Sequence, residues 1–146
     1  MKRRTALVTA ASGVTTLTAG CLGRLPVVGS SVDASIDLVD AELEVEDDPD
    51  VSVDGETVTA SGTIAYGSSA CGTVELAHAE YEPSQDRLDV LVVAADDTSW
   101  FTLSCTDDLV YAGYELEATV RGGFRRVSVT EHHVFGETYS TTVDGL

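Results

Sequence analysis

Asparagine is missing from the chain altogether, and lysine occurs once, at Lys2. The first absence excludes N-linked glycosylation. The second, with 25 acidic residues against eight basic ones, leaves no basic patch of the kind that holds phosphate backbones and argues against nucleic acid as a partner. Long hydrophobic runs are also lacking, since a membrane-spanning helix needs about 20 mainly apolar residues. The uncharged stretch from Thr5 to Gly20 is shorter and carries five threonines. Beyond it, no window of about ten residues keeps the apolar period of a helix. There is no G-x-S-x-G elbow and no glycine-rich phosphate loop, and Gly67-Ser68-Ser69-Ala70-Cys71-Gly72 is a poor substitute for the elbow. The expectation is a protein without catalytic residues or a cofactor, and not an enzyme.

What the N-terminus does contain is specific. Lys2, Arg3 and Arg4 precede an uncharged segment with Leu7, Val8, Val14 and Leu17. That order reads as a cleavable export signal over residues 1–20. The Arg3-Arg4 pair points to the twin-arginine route, although Ala6 and Val8 stand where Phe and Lys are common. Ala19-Gly20-Cys21 looks like a lipobox, with Thr18 in place of the usual Leu. Small residues there let the backbone enter a peptidase cleft, and only the Cys21 thiol can form a thioether to lipid. Two lipid chains hold a protein on a bilayer stably, whereas one barely does. The rival reading is an ordinary secretory signal with an incidental cysteine. Residues 21–33, rich in Gly, Pro and Ser, read as the lipidated cysteine and a tether, and residues 34–146 as one domain.

Loss of residues 1–20 would remove Lys2, Arg3 and Arg4 and leave five arginines against the 25 acidic residues. Such a charge repels itself in dilute buffer, but at 1 M salt the Debye length falls to about 3 Å. Disorder, the usual reading of an acidic chain, fits poorly with 43% hydrophobic residues in regular alternation. In its signal, its acidic balance and the spacing of its later cysteines the chain resembles the small secreted twin-arginine-type lipoproteins of halophilic archaea. The signal and the resemblance together imply a place on the outer face of the cell membrane. The membrane is then a partner through the lipid anchor, and a protein or cell-envelope component is a possible second partner. No particular activity is implied.

With Cys21 assigned to lipid, Cys71 and Cys105 remain as an even pair in a compartment where disulfides persist. A bridge would close a loop of roughly 35 residues and contribute about 4 kcal/mol on the chain-entropy view. A metal site is the rival use, but neither cysteine has a closely spaced second ligand.

Strand-like alternation runs through the domain. Val39, Ala41, Leu43 and Val45 alternate with acidic residues until Asp47-Asp48-Pro49-Asp50 breaks the pattern. Residues 57–66 form a second expected strand and 72–81 a third, in which Val74 and Leu76 fall out of phase with Ala77, Ala79 and Tyr81, implying a bulge or two buried faces. Pro83 to Asp86 is a hairpin loop. Residues 88–95 look like a central strand covered on both faces. Short strands are expected at 100–105, 114–121 and 126–135, the last pairing back on its predecessor through Gly122-Gly123, with an edge strand at 138–143. Seven to eight strands in about 110 residues point to an all-β, antiparallel, Ig-like sandwich, with a small barrel as the alternative.

Few residues stand out chemically. His132 and His133 are adjacent, so on a strand they face opposite ways, His133 with Val127 and Val129 and His132 with Ser128 and Thr130. A copper or zinc site using His78 and His133 is conceivable, but no spacing supports it, and surface or edge positions are the plainer expectation. The acidic turns at Asp47-Asp48-Asp50, Asp96-Asp97 and Asp107-Asp108 lack the spacing of a calcium loop and read as a solvated surface. Trp100, Phe101, Tyr111, Tyr114 and Phe124 could form an aromatic ligand face, though aromatics in small sandwiches more often fill the core, with Phe101 and Tyr111 the ones expected outside. The leading expectation is a lipid-anchored surface interaction or binding module. A metal-handling surface protein comes second and a hydrolytic enzyme last.

Overall fold

The computed structural model describes residues 32–97 and 104–146. Among these there is no helix. Eight strands form two sheets: β1 (Val32–Val39), β2 (Asp50–Asp54), β3 (Thr57–Gly67), β4 (Gly72–Glu82), β5 (Arg87–Asp96), β6 (Leu109–Val120), β7 (Arg126–His132) and β8 (Thr138–Asp144). Their orders are β1-β6-β3-β2 in one sheet and β4-β5-β7-β8 in the other. The expected β-sandwich is there. Its strand order differs from an Ig-like one, in which the first strand lies beside the second, and β5 and β7 run parallel.

Alternation places the core. Val58, Ala60 and Ile64 on β3 and Tyr114, Leu116, Ala118 and Val120 on β6 face Leu88, Val90 and Val92 on β5 and Val127 and Val129 on β7. Burying each of these larger side chains contributes about 1.5–3 kcal/mol. The phase break in β4 is a bulge: register shifts between Leu76 and His78, so Val74, Leu76 and then Ala79 all point inward. At the β2–β3 turn Gly55 takes a φ of +61°, which the first position of a tight hairpin turn demands.

Four expectations are corrected. β1 starts at Val32, which is buried, inside the segment assigned to the tether. The alternating stretch from Val39 onward is a strand only at its first residue. Beyond it the chain crosses the outer face of the β1-β6-β3-β2 sheet as a strap over residues 40–49. Gly113 permits the crossing, because a side chain there would meet the Asp40 carbonyl at 2.5 Å. Thr63 Oγ1 donates to the Leu43 carbonyl (2.8 Å), and Leu43 and Val45 are half-buried where the acidic residue between them is exposed. β2, masked by its acidic residues, had no place in the sequence reading. β7 does not pair back on β6; it joins the other sheet, between β5 and β8. Finally, β5 is central but covered on one face only, since Leu91 and Val93 are only half-buried. The expected strand at 100–105 falls partly outside the described residues; Ser104 and Cys105 are not in a strand. β8 is the edge strand expected.

The two ends of the sandwich differ. β1 begins at the end that carries the Gly55 turn, the Pro83–Asp86 loop and the Gly122-Gly123 turn; Gly122 N–H donates to Glu56 Oε1 (2.8 Å) and Arg125 N–H to the Asp86 carbonyl (2.8 Å). Arg87, Arg121, Arg125 and Arg126 all lie there. The opposite end carries the strap, the β3–β4 turn, the segment before β6 and the β7–β8 turn.

Candidate functional site

Cys71 and Cys105 are joined, with Cα atoms 5.4 Å apart, at the end away from the start of β1. The predicted pair is therefore a structural bridge, and neither sulfur is a free thiolate. Around it the backbone is fixed by side chains. Ser68, at a φ of +68°, accepts at Oγ from the N–H groups of Cys71 (3.1 Å) and Thr106 (3.0 Å). Thr106 Oγ1 accepts from Ala70 N–H (3.2 Å), and Asp108 Oδ1 from Ser69 N–H (2.9 Å). Hydrogen bonds from Thr106 and Ser69 hold the Asp108 carboxyl down at about 2. No imidazole is among the partners of Ser68, so its hydroxyl is a turn-forming group and not a primed nucleophile.

The chemically distinctive cluster lies inside the sandwich. Glu131 continues the inward phase of Val127 and Val129 and is fully buried. Its Oε1 accepts from the Tyr114 hydroxyl on the facing sheet (2.8 Å). Its Oε2 lies 3.3 Å from His133 Nε2. Ala65 N–H donates to His133 Nδ1 (3.1 Å). A backbone N–H only donates, so Nδ1 is bare and Nε2 carries the hydrogen facing Glu131. Gly62 makes the room: a Cβ there would sit 1.8 Å from Glu131 Oε1 and 2.8 Å from the Tyr114 ring. Tyr139 meets the His133 ring edge-on at 5.0 Å between centroids.

Among the described residues no Lys or Arg compensates this carboxylate. Burial pushes Glu131 up to about 7; the Tyr114 hydroxyl pulls the other way, and Asp48 on the strap adds to the rise. Burial, with Glu131 beside it, also raises the Tyr114 phenol. Burial lowers His133, against the pull of Glu137 and with that of His132. The pair is thus a carboxyl poised near neutrality and an imidazole held neutral. Among the described residues no buried side-chain nitrogen or oxygen lacks a partner.

The sequence-based candidates scatter. His133 is buried, not at the surface, and its neighbour His132 faces out to Thr138 Oγ1 (3.2 Å). His78 sits at the β4 bulge, half-exposed beside Glu80 at 3.3 Å. No three His, Cys, Asp or Glu side chains gather to hold a metal among the described residues. Tyr114 and Phe124 are core, whereas Tyr111 is 51% exposed, as its phase implied. Arg3, Arg4, Cys21, Trp100 and Phe101 lie outside the described residues. Glu131 and Gly62 were missed as a site. The signal for Glu131 was present, because it occupies the inward phase between Val129 and His133.

Exposed apolar side chains collect at the disulfide end. Leu109 pairs with Gly67 and Tyr111 with Ala65. Val134 N–H donates to the Ala65 carbonyl (3.0 Å), and the Val134 side chain lies against Gly67. Phe135, next in the chain, is 74% exposed. Exposed acidic residues adjoin this patch, with Asp107-Asp108 immediately before Leu109 and Asp40 at the crossing over Gly113. Comparison with known proteins finds no match, whether among family models, curated proteins or solved structures.

Proposed function

We propose that this protein is exported, loses residues 1–20 and is held on the outer face of a cell membrane by lipid on Cys21, where its sandwich acts as a binding module. In this reading it is a lipoprotein of the halophilic-archaeal kind that its signal and acidic balance resemble. One observation carries the proposal. The chain enters the sandwich at one end, at Val32, while the exposed apolar side chains of Leu109, Tyr111, Val134 and Phe135 and the disulfide-fixed turns lie at the other. A domain tethered ahead of Val32 presents that far end to its surroundings. Exposed aromatics in a carboxylate-rich surface are what an interaction face uses.

Mass spectrometry of the membrane-derived protein tests the anchor. The expected product begins at a diacylated Cys21, and Cys21→Ser releases the domain or leaves the signal uncleaved. A Cys21→Ser chain processed and membrane-bound like the parent overturns the reading.

A further inference from the structure

We propose that the open edge of β6 at Leu109 and Tyr111 is the docking site for an extended polypeptide segment. The segment would add as a strand, carrying apolar side chains at alternate positions and basic residues flanking them. This rests on the binding-module reading above and names its partner class.

β6 extends past the end of β1. Its residues from Gly113 to Val120 pair with β1, but Leu109 to Ala112 pair only with β3. The corresponding extension of β3 has outrun β2, and there the fold supplies a plug: Ala65 donates its N–H to His133 Nδ1 and accepts at its carbonyl from Val134 N–H. That plug also fixes the direction of the β6 groups. In an antiparallel ladder, residues alternate between bonding one neighbour and facing the other. Ala65 turns away from β6, so Tyr66 and Ile64 bond to Val110 and Ala112. The N–H and C=O of Leu109 and Tyr111 therefore face the open side, where no partner meets them among the described residues.

Along its own strand this edge carries no protection, and among the described residues none pairs with it. Leu109-Val110-Tyr111-Ala112 has no charge, no proline and no bulge, in a chain with 23% charged residues. Leu109 and Tyr111 project outward beside it, 41% and 51% exposed. Unpaired backbone groups select a strand, and the exposed side chains of Leu109 and Tyr111 select apolar residues at its alternate positions. The carboxylates select the sign. Asp107 and Asp108 stand at one end of the open edge, and Asp40 and Glu42 beyond the other, all exposed. A second copy of a chain carrying a formal charge of −17 is repelled by the same groups that attract a cationic segment.

The test uses the full chain and a fluorescein-labelled peptide, Arg-Thr-Val-Thr-Val-Thr-Arg, followed by anisotropy and by amide hydrogen exchange. Binding should slow exchange at Leu109 and Tyr111 by about tenfold or more. A peptide with glutamate in place of arginine should bind about tenfold more weakly at about 0.15 M salt, with the gap closing at about 1 M. Leu109→Pro removes an outward N–H without breaking the ladder to β3, and Tyr111→Lys removes the apolar contact. Each should weaken binding by about tenfold with melting temperature little changed. Absence of binding, binding that leaves both amides unprotected, or light scattering that shows the edge closed by a second copy overturns the proposal. Binding elsewhere on the domain would leave the binding-module reading standing while this inference falls. Failure of the Cys21→Ser test would remove the anchor without touching the edge.

Discussion

Tyr114 on β6 donates a 2.8 Å hydrogen bond across the sandwich to Glu131 on β7. The bond joins the two sheets through the core, at the one place where Gly62 leaves space for a carboxylate. Because Glu131 has no cationic partner among the described residues, its charge is tolerated only through neutral donors, and three consequences follow for stability.

Glu131 makes stability depend on pH. Its folded value, raised to about 7, lies above that of an unfolded carboxylate. The folded state then holds the proton more tightly, so its contribution is complete below the unfolded value and is lost as pH rises through about 7. The loss is on the order of 3 kcal/mol for a shift of this size. His133, lowered by burial, acts oppositely: its contribution is present above the ordinary imidazole range and fades as pH falls below it. Denaturation at fixed salt should show stability declining from pH 5.5 to 8 in the parent, on the scale of about one to two kcal/mol after the opposing His133 slope, and a much flatter profile in Glu131→Gln.

Tyr114→Phe removes a donor and leaves a buried acceptor with one partner fewer. A cost of about 1–3 kcal/mol is expected. The Tyr114 hydroxyl also holds the Glu131 value down, so the pH midpoint of the stability loss should move upward in this variant. A loss of stability without that movement would make Tyr114 a packing residue only.

Gly62→Ala places a methyl carbon where Glu131 Oε1 lies, and neither sheet can yield freely. It should destabilise by about 2–3 kcal/mol. Introduced into a Glu131→Ala background, the same change should cost less, since the oxygen it meets most closely is gone and only the Tyr114 side chain still stands in its way. Chemical denaturation of the four proteins in the cycle measures that coupling.

The Cys71–Cys105 bridge closes a loop with a separation of 34 residues. Its reduction should cost about 4 kcal/mol. Thermal scans with and without reductant check this, and a Cys71→Ser/Cys105→Ser chain should melt with the reduced protein.

The sequence disclosed the class of fold because period-two alternation survives in β3 to β8. It disclosed the bulge in β4 because inserting one residue flips the phase visibly. It misplaced the first strand for a physical reason: Val39, Ala41, Leu43 and Val45 alternate as a strand does, but Gly113 lets the chain cross the sheet instead of continuing along it. The bridge was legible from counting, since two cysteines remained once Cys21 was set aside. The buried cluster was half legible. The phase of Val127 and Val129 put His133 inside, yet an adjacent histidine and an acidic composition favoured the surface. The contact of Glu131 with Tyr114 and Gly62 joins residues 17 apart or more in sequence and on opposite sheets, which no local pattern encodes.

The parallel pairing of β5 with β7 has a kinetic side. Among the described residues β5 gains its second neighbour only from residues 126–132, and β1 gains its neighbour only from residues 113–120. Neither sheet can be completed while the chain is shorter than that. Assembly is therefore a late, cooperative event dominated by distant pairings, which places this domain among slow folders and leaves any fragment ending before β6 with two unfinished sheets.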